Sequence, residues 1–127
     1  MEKLCRDLLK EWCEALLRLQ IKNFGDPRLN GALLCPACGK IHGRCFEAMY
    51  PFLCMAAWEK EEKWVAAAER LFTWAEQTVS QADGSFLNDI DSGWTGTTVF
   101  NVIQLADCLL FHEDLLSEKT REEWKQR

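Results

Sequence analysis

With 127 residues, nearly half of them apolar and only three prolines, the chain is long enough to bury one real core and too apolar for wholesale disorder. Its formal charge of −5 is spread along the sequence without the basic stripe that phosphate neutralisation requires, so nucleic acid is not an expected partner. No apolar run approaches the roughly 18 residues of a membrane span, and the opening MEKLCRDLLKEWCEALL breaks its apolar positions with charges where a secretory leader would be continuous; a cytoplasmic protein without membrane contact is expected.

The first helix is expected over residues 2–22, where Leu4, Leu8, Trp12, Ala15, Leu16 and Leu19 recur at spacings of three and four as one apolar stripe. Asn23, Phe24 and Gly25 make a plausible stop. Residues 23–41 carry Pro27, Gly31, Pro36 and Gly39 and have no helical period; a loop that long in a compact domain is often functional. The second helix, residues 43–59, is apolar around much of its circumference and reads as an inner helix. Pro51 either kinks it or opens a shorter helix after a separate turn at residues 44–50.

The third helix, residues 61–80, presents Trp64, Ala67, Ala68, Leu71, Phe72 and Ala75 on one face. A second long loop follows, with Asp83-Gly84 as a turn. The fourth helix, residues 97–112, opens on hydroxyl residues suited to capping and is expected to turn Val99, Val102, Ile103, Ala106, Leu109 and Leu110 inward. A last helix begins near Ser117, a good N-cap. The order predicts an all-α single domain, residues 1–127, of antiparallel αα-hairpins with the elaborate loops gathered at one end.

Seven cysteines is an odd and high number, and without a secretory leader they do not read as a disulfide framework. Cys5, Cys13, Cys54 and Cys108 lie in apolar helical patterns and read as small buried hydrophobes. The others cluster in CPACGKIHGRC. Cys35, Cys38, His42 and Cys45 are the ligand types of a Cys₃His zinc site, at a spacing tighter than common zinc modules and without a second knuckle. A thioredoxin-like reading lacks its βαβ context. Alternatively, His42 serves as an acid or base near neutral pH, Arg44 grips carboxylates or hydroxyls, and Gly43 lets the backbone approach a ligand. A plain helix start braced by His42 and Arg44 explains the same residues.

The second loop, DGSFLNDIDSGWTGTT, combines Asp83, Asn88, Asp89, Asp91 and Trp94. Carboxylates and amides bond sugar hydroxyls, and an indole face stacks on a sugar ring. Asp89 and Asp91 could also form a glycosidic carboxylate pair. A calcium loop lacks its terminal glutamate, and a turn-rich connector with local Asp and Asn caps is the plain alternative.

Taken together, LLCPACGKIHGRCFEAMYPFLCMA and ADGSFLNDIDSGWTGTTVFNVIQLADCLLFH resemble the N-terminal part of bacterial heparinase II/III-like and related six-hairpin carbohydrate-active proteins. The resemblance implies an (α/α) toroid and a glycoside hydrolase or polysaccharide lyase acting on an oligo- or polysaccharide. It implies that Asn88, His42 or Arg44 neutralises a uronate carboxylate, that Tyr50 or His42 removes the proton alpha to it, and that Asp89 serves if the chemistry is hydrolytic. Trp94 and Arg44 join Asn88 as substrate-binding residues. No cofactor is implied, with zinc on Cys35, Cys38, His42 and Cys45 as the alternative. Such a toroid needs several more hairpins, so the chain reads as an N-terminal fragment, inactive alone, or as a short protein built on part of the plan; the uncovered apolar helix faces of a fragment favour self-association. A zinc-stabilised or purely structural interaction module is the competing reading.

Overall fold

In the computed structural model, which describes residues 1–22 and 25–127, the α-helices are α1 (Glu2–Leu19), α2 (Met49–Glu59), α3 (Glu62–Thr78), α4 (Thr98–His112) and α5 (Glu118–Lys125). Partners along α1 and α3 climb in step. Lys10 meets Glu59 just before α3, Glu14 meets Lys63, and Gln20 bonds the Ala67 carbonyl and Arg70. These two helices therefore run parallel. Thr120 on Glu69 and Arg127 on Glu76 set α5 in the same sense. The opposite sense is taken by α2, reversed through the short Lys60-Glu61 turn, and by α4. The bonds of Asn101 to Gly43 and of His112 to Cys54 keep α4 in step with residues 43–54.

The result is an all-α up-down array. Its alternation places the long connections, residues 20–48 and 79–97, at one end and the short turns at the other. Among the described residues no helix is long and apolar enough to cross a membrane.

The core centres on α2, which packs on α1, α3 and α4. Met49, Phe52, Leu53, Met55 and Ala56 are all buried on it. Phe52 stacks on Trp64 of α3 with centroids 6.1 Å apart, and Trp124 pins α5 to Phe72 at 5.3 Å. Phe46 and Phe86 meet at 5.3 Å, one from each long connection, and both are fully buried. Each such side chain stabilises by roughly 1.5–3 kcal/mol, so the loops are anchored from beneath by core aromatics.

Several expectations are corrected. The first helix stops at Leu19, because Gln20 turns extended (φ −73°, ψ 123°) and pairs with Leu33, while Ile21 bonds the Ala32 carbonyl. Gly31 sits at φ +93° where a Cβ would lie 2.1 Å from the Arg70 carbonyl oxygen, so only glycine fits that crossing. Asn23 and Phe24 of the expected stop lie outside the described residues. The second helix does not start at Gly43: a 3₁₀ segment Gly43–Ala48 comes first, and the shorter α2, expected as the alternative, carries Pro51 in its first turn. Thr97 makes no capping bond. Instead Thr98 Oγ1 donates to the Thr95 carbonyl at 2.6 Å and accepts from the Phe86 amide at 2.8 Å.

The inward faces of two helices are also corrected. On α4 the buried residues are Asn101, Leu105 and Cys108, while Val99, Val102, Ile103 and Leu110 are exposed. On α1, Cys13 is buried and Leu4, Leu8 and Trp12 are exposed. Cys5 is exposed too, and Cys54 only half-buried. Both helices carry apolar residues on more than one face, and a periodic stripe does not reveal which face has a partner.

Candidate functional site

The two long connections meet through their backbones. Gly43 donates its amide to the Asn88 carbonyl at 2.6 Å, and Asn88 donates to the Trp94 carbonyl at 2.8 Å. A Cβ on Gly43 would lie 1.9 Å from the Leu87 carbonyl oxygen. The closeness expected to admit a ligand at Gly43 is thus filled by the second connection, and this 3₁₀ N-terminus is not open to an anion. Asn101, fully buried on α4, donates to the Gly43 carbonyl at 3.3 Å and supports the junction from below.

Across this junction the His42 Nδ1 is hydrogen-bonded to Asp89 Oδ1, and Asp89 Oδ2 accepts from the Asn88 amide at 2.6 Å. The His42 bond is the first cause holding the Asp89 carboxyl below the usual carboxylate range; the Asn88 bond and the Lys40 charge act the same way. The other ring nitrogen, Nε2, lies 3.1 Å from Cys38 Sγ. Cys35 joins them: the ligand atoms of Cys35, Cys38 and His42 all lie within 4.8 Å of one another. Backbone N–H groups of Ala37 and Cys38 pull the Cys35 thiol below its ordinary pKa. Cys45 does not complete this group among the described residues, and burial pushes its thiol up.

Beside the His42–Asp89 pair opens a cleft of about 610 Å³, walled by Gly39–Lys40–Ile41 on one side and Ile90–Asp91–Ser92 on the other. Lys40, the one cation between Cys35 and His42, is a wall residue that the sequence does not mark. Its signal was position within a polar loop, which does not distinguish a wall residue from a solvated lysine.

Other expected site residues stand elsewhere. Arg44 pairs with Glu47 at 2.7 Å and lies 4.5 Å over the Phe100 ring, beside a separate apolar groove. Tyr50 packs on Phe111 and His112, with ring centroids 6.3 and 5.4 Å away, and burial raises its phenol pKa. Trp94 is 60% exposed, but its ring folds over Gly96 and does not line the cleft. Asp83 accepts from the Ser85 amide and hydroxyl at 2.9 and 2.7 Å, as a turn residue.

A family model described as the Ulvan lyase N-terminal domain matches residues 9–127. The chain belongs to this family. Membership in the Ulvan lyase N-terminal domain family bears out the coarser expectation of a carbohydrate-active protein. A broad-specificity ulvan lyase of Formosa agariphila is 42% identical over 127 residues, covering 99% of this chain and 20% of the relative. The chain therefore spans about a fifth of the length of the curated relative it matches. No solved structure matches it.

Proposed function

We propose that this chain is the N-terminal helical segment of a polysaccharide lyase, and that the cleft beside His42 and Asp89 takes part in holding an ulvan chain. Family membership together with 42% identity along nearly the whole chain carries the reading. The cleft is favoured because it is the place where both polar loops meet, with Lys40 offering a cation and Asp91 and Ser92 offering hydroxyl acceptors and donors. In this reading the up-down array is the opening of an (α/α) toroid. The exposed apolar faces of α1 and α4 are where further helices pack.

His42 and Asp89 act here as a clasp between the loops. Asp89 is held ionised, and His42 directs Nε2 at Cys38. Arg44 and Tyr50 stand outside the cleft.

The test is affinity electrophoresis of the chain in native gels containing ulvan, with Lys40→Glu as the variant. Retardation in ulvan that weakens at least about tenfold in the variant, equal to about 1.4 kcal/mol, supports the cleft. Retardation that Lys40→Glu leaves unchanged, or none at all, overturns it.

A further inference from the structure

We infer that Cys35, Cys38 and His42 bind one zinc ion through two thiolates and the imidazole Nε2, with Asp89 holding the imidazole from behind. The inference is independent of which sugar the cleft takes. Its first ground is proximity: the three ligand atoms lie within 4.8 Å of one another, with Nε2 and Cys38 Sγ at 3.1 Å. Zinc bonded tetrahedrally to thiolate at about 2.3 Å and to imidazole at about 2.0–2.1 Å separates those atoms by about 3.6 Å. Nε2 and Cys38 Sγ reach that separation by spreading about half an ångström, and atoms at the 4.8 Å limit reach it by closing about 1 Å, both within the range of side-chain torsions.

The second ground is the orientation of His42. Its Nδ1 is tied to Asp89, so Nδ1 carries the proton and the Nε2 lone pair faces the thiols. A metal-bound histidine almost always donates its other N–H to a carboxylate or carbonyl, which fixes the ring and raises its basicity. Asp89 is itself steadied by the Asn88 amide at 2.6 Å. A chain of Asn88, Asp89 and His42 thus ends on the two sulfurs.

The third ground is how the backbone presents the thiols. Cys35 donates to the Lys40 carbonyl and accepts from the Gly39 amide, both at 2.8 Å, while Leu34 bridges Ile41. Gly39, at φ +67°, closes this tight hairpin. The N–H groups of Ala37 and Cys38 aim at the Cys35 sulfur and hold it on the inner side of this turn.

Two thiolates with an imidazole select zinc over calcium or magnesium, which prefer oxygen. Cys45 stands outside the group, so water takes the fourth position. Through Asp89 the ion would fix the second loop as well as the first.

The experiment loads the reduced chain with zinc, removes excess by dialysis and measures metal by mass spectrometry. Cobalt(II) substitution reads the thiolate ligands by visible absorption, and alkylation mapping reads which thiols the metal shields. A single zinc per chain is expected, with Cys35 and Cys38 protected and Cys5 alkylated. Cys38→Ser should abolish loading. Asp89→Asn should keep the stoichiometry and weaken affinity about 10–100-fold, an effect that a merely structural carboxylate would not have. Should Cys38→Ser fail to fold, protection of Cys35 and Cys38 in the unaltered chain decides the matter. Substoichiometric zinc in the reduced chain, or Cys35 and Cys38 alkylated as fast with zinc as without, overturns the inference. So does affinity unchanged in Asp89→Asn.

Discussion

Gly43 is where the two long connections press closest. Its amide reaches the Asn88 carbonyl and its missing Cβ makes room for Leu87. Gly43→Ala should cost about 1–3 kcal/mol, the usual range for overpacking a filled site, and lower the urea midpoint accordingly. A midpoint unchanged by the substitution would show that the loops do not meet so tightly. The sequence marks His42 and Asp89 as functional residue types but holds no sign that they pair, because 47 positions separate them. Nothing local marks Lys40 either: what makes it a wall residue is Asp91 and Ser92 opposite.

At the scale of the element, α2 and α3 follow their sequence patterns closely. The first is apolar nearly all round and lies inside; the second has one apolar face and buries it. On α1 and α4 more apolar surface exists than the described residues cover. Trp12 is 70% and Leu110 73% exposed, with Leu4, Leu8, Val99, Val102, Ile103 and Phe111 alongside them on the two helices. Surface of this kind drives association, so the chain by itself should self-associate. The double variant Val102→Lys, Leu110→Lys should shift sedimentation toward the monomer. Its folding stability should stay within about 0.5 kcal/mol, as for other surface substitutions. An unaltered distribution of species would remove α4 from any interface.

For the whole molecule, the packing of α2 against α4 carries a pH dependence. His112 lies against Cys54 at 3.4 Å and beside Tyr50, and its burial there lowers its pKa from the ordinary 6.5, with the Asp114 charge opposing weakly. The unfolded chain therefore binds the proton first. Stability should be full above about pH 6.5 and fall as pH drops from there toward the folded-state value. Urea midpoints measured across this window should decline for the native chain and less steeply for His112→Gln. Equal slopes would place the titration elsewhere.

Periodicity and turn residues by themselves determined the helical class, the number and order of the helices, and the two polar loops, because those are local properties of backbone and hydrophobic pattern. Alternation of short and long connections even placed both loops at one end. Only the tertiary structure decided which faces of α1 and α4 are covered, that Gly43 meets Leu87, and that His42 stands between Asp89 and Cys38 while Arg44 and Tyr50 face other neighbours. These depend on distances between residues far apart in the chain, which the packing of α2 against its neighbours sets and no local pattern encodes.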